Sequence, residues 1–365
     1  MTLYVLRYWP TLSETFVANE ISGLLAAGHR TEVVSLGQRA DAAFAEVTNV
    51  PTWSPPRGLS LGLALSDLAS VLGTRTGRQA AAWLARHQRP KDVARAAWTA
   101  VRAARSGVGR IHAHFAGEAA EVARCVGMML DVPWSVTAHA SDLACPRPSL
   151  VDLGRGARPF VVVCETWRER LWKQYQIHAT VVRMGVDVDR YLPADPGRTP
   201  PTVICVARNV EKKGLETLES SVVALAIPCR LVSDRASVHP LVRTGALRHA
   251  EIPSALAQAQ IFALPCRVAS DGDEDAIPVV LLEAMAAGLP VVTTSVGGIC
   301  EVVDQDTGWL AAPGDPNGFH TALACAAASA EQRIVRGTAG RARIVDRGLT
   351  VQSQVASLLA AWAAA

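Results

Sequence analysis

The chain has 365 residues, half of them hydrophobic, which suits two folded domains, and its glycines and prolines are scattered rather than periodic. The formal net charge of +3 indicates no class of partner, and we predict no nucleic-acid ligand. No apolar run approaches the ~20 residues that a membrane span needs, and the N-terminus enters a strand pattern directly, without a secretion signal. We therefore expect a cytoplasmic protein.

The first predicted elements are those of a parallel sheet. Residues 2–7 (TLYVLR) are predicted to form a strand. Thr11 and Glu14 fit a capping box, with Thr11 as the cap, for a helix that ends at Gly28. Residues 32–36 form the next strand. A strand, loop, helix and strand in this order is how a doubly wound parallel sheet begins.

A basic segment extends from Arg75 to Arg110, in a region without a recognisable motif that we predict to be helical. Its nine lysines and arginines are opposed only by Asp92. Such a segment suits an anionic membrane surface, where the protein would be peripheral, or a phosphate-bearing acceptor. A solvated helical face is the simpler interpretation, and we favour it.

Two further strands are predicted at residues 110–115 (RIHAHF) and 134–138 (WSVTA). Ligands bind beyond the carboxyl ends of the strands in open parallel sheets, and His114 and His139 lie near those ends. His112 and His114 share one face of their strand, but no third ligand has convincing spacing, so we predict no metal site. A buried core position is the alternative role for each histidine.

The eight cysteines are far apart in sequence and form no C-x-x-C pair. Several lie in strand-like runs, such as Cys205 between Ile204 and Val206. We predict that they are small buried thiols rather than disulfides or zinc ligands.

A second domain is predicted to begin after the proline-rich segment 194–201. A strand over residues 203–207 leads into a loop that contains Arg208 and Lys213, and a helix begins at Leu215. Two cations in a tight loop at a helix N-terminus suit a diphosphate ligand. A surface turn with ordinary basic residues is the alternative.

The most informative stretch is residues 271–303. An acidic loop with Asp275 leads to Pro278, which suits the first position of a helix, and that helix carries Glu283 and ends at Gly288 in a left-handed cap. Helical side chains lean toward the N-terminus, so we expect Glu283 to lean back toward Asp275. Two carboxylates beside a positive helix end suit a nucleotide sugar.

This stretch resembles the donor-site signature of the retaining glycosyltransferases of family 4, of the exopolysaccharide type in group 1. The matching positions are Asp275, Glu283-Ala284, Ala286, Gly288, Pro290-Val291-Val292, Gly297-Gly298 and Glu301. Other segments resemble the family as well: LSETF and GHRTEVVSL near the N-terminus, IHAHFA, TAHASDL, VVRMGVD and RNVEKKG.

The resemblance implies an α/β fold of the GT-B type, in which two doubly wound Rossmann-like domains face each other across a cleft. We place an acceptor-side domain at residues 1–193 and a nucleotide-sugar domain at residues 194–350. A C-terminal helix, residues 351–365, is expected to pack back on the first domain.

The resemblance also implies residue roles. The catalytic candidates are Arg208, Lys213, His139 and Asp275. The donor-binding candidates are Ala276, Ile277, Pro278, Val279 and Glu283. Candidates for an acceptor or phosphate loop are Ser13, Glu14, Thr15 and His114. In this scheme the two basic residues hold the pyrophosphate, His139 and Asp275 contact the sugar, and Glu283 binds the ribose diol.

The implied reaction moves a hexosyl unit from a UDP- or GDP-sugar to an acceptor hydroxyl with retention of configuration. It needs no cofactor and no metal, because fixed cations and helix N–H groups stabilise the charge that develops on the β-phosphate. The acceptor is expected to be a polysaccharide or lipid-linked saccharide, or else a small aglycone of an antibiotic or aminocyclitol pathway.

The sequence departs from the family pattern at four residues and in one segment. Met184 replaces the usual Asn, Ala207 and Ala276 replace Gly, and Asp275 replaces Glu. Residues 232–245 are too few for the usual Gly-rich loop, helix and strand, so the second sheet is expected to lack or shorten an element.

These departures leave open a second function, a non-catalytic nucleotide-sugar-binding partner of another glycosyltransferase. A phosphorylase of the same architecture would need a pyridoxal-binding lysine, and we identify none. A paired-carboxylate glycosidase would need its two acids on either side of a sugar bond, which suits Asp275 and Glu283 poorly.

Overall fold

The computed structural model describes residues 1–11, 14–37, 50–56, 78–79, 82 and 90–365. Their contacts divide the chain into two compact units. The first unit consists of Met1–Val163, Arg168–Val182 and Val355–Ala365, and the second consists of Cys164–Trp167 and Arg183–Gln354. No helix in the described ranges is both long enough and apolar enough to cross a membrane.

The first unit contains a parallel sheet. Its described strands are β1 (Thr2–Leu6), β2 (Thr31–Ser35), β3 (Thr52–Trp53), β4 (Arg110–His114), β5 (Trp134–Thr137), β6 (Phe160–Val162) and β7 (Thr180–Val181). They pair in the order β3-β2-β1-β4-β5-β6-β7. Every pairing is parallel, and β1 is buried along its whole length, as expected for an interior strand covered on both faces.

The helices described in this part of the chain are α1 (Thr15–Ala26), α2 (Pro90–Ser106), α3 (Glu118–Leu130), α4 (Ala140–Ala144), α5 (Leu150–Gly156) and α6 (Glu165–Tyr175). The first residues of α6 belong to the second unit and the rest to the first. Strands and helices alternate as predicted for a doubly wound sheet.

Helix α1 begins later than the predicted capping box requires. Glu14 occupies the N-cap position and makes no side-chain capping hydrogen bond to the described helix. The Thr11 hydroxyl instead donates to the carbonyl oxygen of Tyr8 at 3.2 Å, so the predicted capping box is wrong. Short hydroxyl side chains often satisfy a nearby turn in place of a helix end. The helix ends before Gly28, which has the expected positive φ of 76°.

Helix α2 covers the last part of the predicted basic segment, while Arg75, Arg86 and Arg89 lie outside the described residues. Arg95 is not part of a solvated face, because its guanidinium forms ion pairs with Asp92 at 3.5 Å and with Glu118. The solvated-face interpretation is therefore wrong for this residue.

All eight cysteines are described and all are free thiols, as predicted. The prediction that they are buried holds for Cys125, Cys164, Cys205, Cys229 and Cys266. It is wrong for Cys145, Cys300 and Cys325, which are exposed.

The second unit contains another parallel sheet. Its strands are β8 (Val203–Val206), β9 (Cys229–Val232), β10 (Val242–Gly245), β11 (Ile261–Leu264), β12 (Val291–Thr294) and β13 (Gly308–Ala311), paired in the order β10-β9-β8-β11-β12-β13. Its helices are α7 (Leu215–Ala224), α8 (Ile252–Ala257), α9 (Val279–Ala286), α10 (Pro316–Ala328) and α11 (Ala330–Asp346). The predicted α/β architecture is thus present in both units.

The shortened segment of the second unit keeps its strand and omits its helix. Residues 233–241 are all described and contain no helix, yet β10 pairs in parallel with β9. Glu219 of α7 holds this connection through an ion pair with Arg235 at 3.2 Å and a hydrogen bond from Ser237. The expectation that this sheet lacks an element is therefore confirmed.

The last helix, α12 (Val351–Ala363), starts in the second unit and ends in the first. Within the first unit, the backbone oxygen of Trp362 accepts a hydrogen bond from Arg110 at 2.7 Å, and its ring meets Tyr4 edge-on at 6.5 Å between centroids. The end of the chain thus packs on β1 and β4.

Candidate functional site

The loop after β8 places two lysines at the carboxyl end of the second sheet. A turn of 3-10 helix, Glu211–Lys213, is followed by Gly214, whose φ of 59° begins α7. A Cβ at position 214 would lie 2.3 Å from the carbonyl oxygen of Pro265, just after β11. The backbone at position 214 can therefore come this close to Pro265 only if the residue is glycine. Close backbone packing therefore fixes the positions of the lysines.

Lys213 forms an ion pair with Asp275, the residue predicted to bind the sugar. Its Nζ donates to Asp275 Oδ2 at 2.7 Å, and the two side chains are only 12% and 14% exposed. Burial favours the neutral form of each group, but the ion pair outweighs it, raising the pKa of Lys213 and lowering that of Asp275. Both groups are therefore charged at neutral pH.

Lys212 contributes a second cation that the sequence analysis did not single out. It is 8% exposed, and its Nζ lies 2.8 Å from Asp273 Oδ2 and 3.7 Å from Asp275 Oδ1. The burial of Lys212 beside Lys213 could not be predicted from the sequence and is seen only in the structure. Arg208 is exposed, and its charge acts on Lys213 and on Asp234.

The loop from Asp275 to Val279 joins this pair to α9. Pro278 is the N-cap residue rather than the predicted first helical residue, and proline offers no side-chain acceptor for the N–H groups that begin the helix. Ala276 and Ile277 are buried, and the N–H of Gly298 donates to the oxygen of Ala276 at 2.8 Å. Four of the predicted donor-binding residues, at positions 276–279, therefore lie in one turn that follows the partner of Lys213.

Glu283 lies in the same unit but has other partners. Its Oε1 is 3.7 Å from His249 Nε2. Burial, and then the hydrogen bond and charge of Glu283, raise the pKa of Tyr191. Among the described residues, Glu283 and Asp275 thus have separate partners, and the structure does not support the expectation that Glu283 leans toward Asp275.

The first unit contains the second group of predicted residues. His114 Nδ1 and His139 Nε2 are 3.0 Å apart, and both side chains are buried. The ring of Phe16, next to Thr15 at the start of α1, lies 4.7 Å from the ring of His139. Glu14 and Thr15 therefore directly precede the residue whose ring meets His139, whereas Ser13 lies outside the described residues.

Glu20 completes a buried cluster that the sequence analysis missed. Its Oε1 accepts hydrogen bonds from Tyr4 at 2.6 Å and from His114 at 2.9 Å, and it lies 3.9 Å from His112 Nε2. The sequence did contain one signal of this cluster, a carboxylate on the apolar face of α1 between Val17 and Ile21. Such a residue is almost never buried without a partner.

Glu20, His112 and His114 have ligand atoms within 4.8 Å of one another, a geometry that permits a metal ion. Glu20 is thus a possible third ligand that sequence spacing did not show, while the prediction of no metal site stays a prediction. His112 also hydrogen-bonds with Ser135 at 2.8 Å and with Thr137 at 3.2 Å. Since hydrogen bonds satisfy the polar atoms of the cluster, it does not require a metal.

The same cluster predicts acid sensitivity of the first unit. Burial, reinforced by His114, lowers the pKa of His112 to about 3, and the pKa of Glu20 is about 2 because neighbouring histidines and Tyr4 outweigh its burial. The unfolded chain binds a proton on each group at higher pH than the folded chain does. The free energy of unfolding therefore falls as pH drops below about 6.5 because of His112, and below about 4.5 because of Glu20 as well, by roughly 1.4 kcal/mol per pH unit for each group.

Denaturant unfolding between pH 7.5 and 3 measures this effect. His112→Asn is expected to reduce the fall in unfolding free energy above pH 4.5, and Glu20→Gln is expected to reduce the fall below pH 4.5. If the unfolding free energy of both variants falls with pH as steeply as that of the wild type, the acid sensitivity does not come from His112 and Glu20.

Comparisons with known proteins agree with the predicted resemblance. Residues 200–329 match the family model "Glycosyl transferases group 1". The chain is 32% identical over 201 residues to the putative colanic acid biosynthesis glycosyltransferase WcaL of Escherichia coli, covering 48% of this chain and 49% of that protein.

A second relative is the GDP-mannose-dependent alpha-(1-6)-phosphatidylinositol monomannoside mannosyltransferase of Mycolicibacterium smegmatis. It is 29% identical over 248 residues, which cover 59% of this chain and 63% of that protein. The chain thus spans about half to two thirds of the length of these two relatives.

Among solved structures, Anabaena Alr3699/HepE in complex with UDP-glucose superposes with a TM-score of 0.74. It is 16% identical and covers 99% of each chain. Similarity at this level concerns the fold, and it confirms the predicted GT-B class with two parallel-sheet Rossmann-like units.

Proposed function

We propose that this protein is a retaining glycosyltransferase that moves a hexosyl unit from a UDP- or GDP-sugar to an acceptor hydroxyl. The observation that carries the proposal is the buried Lys213–Asp275 pair, with Lys212 beside it, next to the start of α9. Two buried cations at the carboxyl end of a parallel sheet, beside a helix N-terminus, favour an anionic ligand with phosphate groups.

In the proposed reaction, the bond between the sugar's anomeric carbon and the β-phosphate oxygen breaks, and its electron pair stays with the phosphate. The anomeric carbon forms a new bond to the acceptor oxygen, and the hydroxyl proton passes to the departing phosphate or to solvent. Lys213 and Arg208 stabilise the developing negative charge. The cations of the chain serve this role, so the proposal assigns no metal and no cofactor.

The donor diphosphate would replace Asp275 as the partner of Lys213. Asp275, released from one of its two lysines, would then accept hydrogen bonds from sugar hydroxyls. Ionised carboxylates are suited to this because they accept without donating. Glu283 would accept hydrogen bonds from the ribose diol, and the role of His139 stays a prediction.

For the acceptor we propose a saccharide of a polysaccharide or glycolipid. Support comes from the names of the relatives, which concern colanic acid biosynthesis and a phosphatidylinositol monomannoside. A small aglycone is the alternative acceptor class. Contact with an anionic membrane through Arg75–Arg110, and a cytoplasmic location, stay predictions.

Thermal unfolding with a panel of nucleotide sugars tests donor binding. A donor present at 100 times its dissociation constant is expected to stabilise the protein by about 2.7 kcal/mol, while the free sugar gives no shift. Nucleotide release in the presence of EDTA then tests catalysis without a metal. Stabilisation without release or transfer would favour the non-catalytic partner, and no shift with any donor would end the proposal.

A further inference from the structure

The two carboxylate oxygens of Asp275 face two different lysines, and all of these residues belong to the second unit. Asp275 Oδ2 lies 2.7 Å from Lys213 Nζ, and Asp275 Oδ1 lies 3.7 Å from Lys212 Nζ. Lys212 Nζ also lies 2.8 Å from Asp273 Oδ2. Carboxylates and lysines therefore alternate from Asp273 to Lys213, and the sugar-binding candidate lies between the two lysines.

The backbone on both sides of the Lys212–Asp275 contact is held in place. The carbonyl oxygen of Lys212 accepts a hydrogen bond from the Arg267 N–H at 2.9 Å. The backbone of Gly297 packs against that of Asp275 so closely that an added Cβ would lie 2.1 Å from the Asp275 carbonyl oxygen. Since the side chain of Asp275 is short, a cation that stays beside Oδ1 is enough to set the direction of its carboxylate.

The charge of Lys212 acts on Asp275 as well as on Asp273. Burial alone would raise the pKa of Asp275, but the charges of Lys213 and then of Lys212 lower it, so the carboxylate is ionised. An ionised carboxylate can accept hydrogen bonds from sugar hydroxyls but cannot donate. Lys212 therefore supports the form of Asp275 that the proposed function needs.

Donor binding would separate the roles of the two lysines. In the proposed function the diphosphate becomes the partner of Lys213, which takes the nearest cation away from Asp275 Oδ2. Lys212 is 8% exposed, and Asp273 and the carbonyl oxygen of Glu274, at 3.5 Å, hold its Nζ in place. Oδ1 would thus keep its ion pair while Oδ2 turns to a sugar hydroxyl.

We propose that Lys212 is a positioning residue that directs Asp275 toward a hydroxyl of the donor sugar and so affects binding of a nucleotide sugar but not of the free nucleoside diphosphate. The proposal rests on the proposed function, in which Lys213 binds the diphosphate. Lys213 then serves both ligands, whereas Lys212 serves only the ligand that carries a sugar.

The alternative is a purely structural role, in which Lys212 closes the acidic loop through Asp273. That loop already has hydrogen bonds of its own. The Ala269 N–H donates to the Asp273 carbonyl oxygen at 2.8 Å, and the Asp273 N–H donates to Asp271 Oδ1 at 2.9 Å. A buried ion pair is weak evidence for a stabilising role, because removing its charges from water is costly.

Titration calorimetry with UDP-glucose, UDP, GDP-mannose and GDP tests the proposal. We expect Lys212→Gln to weaken binding of the nucleotide sugar about ten-fold, the value of roughly one hydrogen bond, and to leave the affinity for the matching nucleoside diphosphate within about threefold. Lys213→Ala is expected to weaken binding of both. Lys212→Arg, which keeps the charge, is expected to recover most of the loss.

Asp273→Asn is the matched control, because it changes the nearer partner of Lys212 without touching Asp275. The positioning role predicts that both affinities stay within about threefold of the wild type, whereas the structural role predicts the same loss as in Lys212→Gln. In a chain that already carries Asp275→Asn, Lys212→Gln is expected to cause no further loss, since the contact that it supports is gone.

An equal loss for nucleotide sugar and nucleoside diphosphate in Lys212→Gln, or a ten-fold selective loss in Asp273→Asn, would overturn the positioning role and leave the proposed function standing. A wild-type chain that binds none of these ligands would overturn both. Thermal unfolding reports the folded fraction of each variant. If Lys212→Gln does not fold, the double variant Lys212→Gln with Asp273→Asn, which removes one charge of each sign, replaces it in the same comparison.

Discussion

Replacement of Lys213 by alanine is expected to lower nucleotide release and sugar transfer by about 10²-fold or more, the usual cost of losing a group that stabilises transition-state charge. Lys213 Nζ lies 2.7 Å from Asp275 in a site where both side chains are largely buried, so water cannot readily replace it. Turnover of the donor by wild type and variant, at saturating donor, measures the effect.

Lys212→Ala is the neighbouring control. Lys212 is paired chiefly with Asp273, at 2.8 Å, and is farther from Asp275, so a smaller loss of about ten-fold is expected. Equal losses at positions 212 and 213 would mean that general positive charge, rather than the placement of Lys213, supports the reaction.

The double variant Lys213→Ala with Asp275→Ala separates folding from catalysis. Removing the lysine alone leaves a buried carboxylate with one partner fewer, which lowers the thermal midpoint. Removing both is expected to restore much of the midpoint without restoring the rate. A rate that recovers together with the midpoint would show that Lys213 acts through stability.

The sequence predicted the parts of this architecture that depend on local signals. The strand at Val291–Thr294 and the positive φ at Gly288 follow from a short apolar run and a glycine after a helix, and both are present. A missing or shortened element after β9 followed from chain length, because residues 232–245 are too few for a loop, a helix and a strand together, and the structure omits the helix. Local pattern also misled where Thr11 bonds to a turn instead of the helix.

The sequence predicted that Lys213 and Asp275 belong to one site but not that they pair with each other, because the partners of buried charges come from distant elements. Lys213 and Asp275 are 62 positions apart, and Glu20 meets a histidine 94 positions later. Each side chain fits its own helix or loop pattern, but only the sheet order brings them together. For the same reason, the lean of a helical side chain did not identify His249 and Tyr191 as the partners of Glu283.

Replacement of Gly297 by alanine is expected to disrupt the donor loop more than any other single methyl group in it. Gly297 has a φ of 56°, and a Cβ there would lie 2.1 Å from the carbonyl oxygen of Asp275 and 2.9 Å from that of Ala276. Both neighbours are backbone atoms, so the turn that carries Asp275 must move. We expect a loss of about 3 kcal/mol or more in unfolding free energy and at least ten-fold weaker donor binding.

Gly288→Ala isolates the steric part of this effect. Gly288 also has a positive φ, of 74°, but a Cβ there would meet nothing within 4 Å. Its substitution therefore carries only the cost of placing alanine in the left-handed region, about 1 kcal/mol, with donor binding retained. Denaturant unfolding and donor titration of both variants make the comparison. If the two lose equal stability and Gly297→Ala still binds donor, the turn yields to a methyl group and its packing does not hold Asp275 in place.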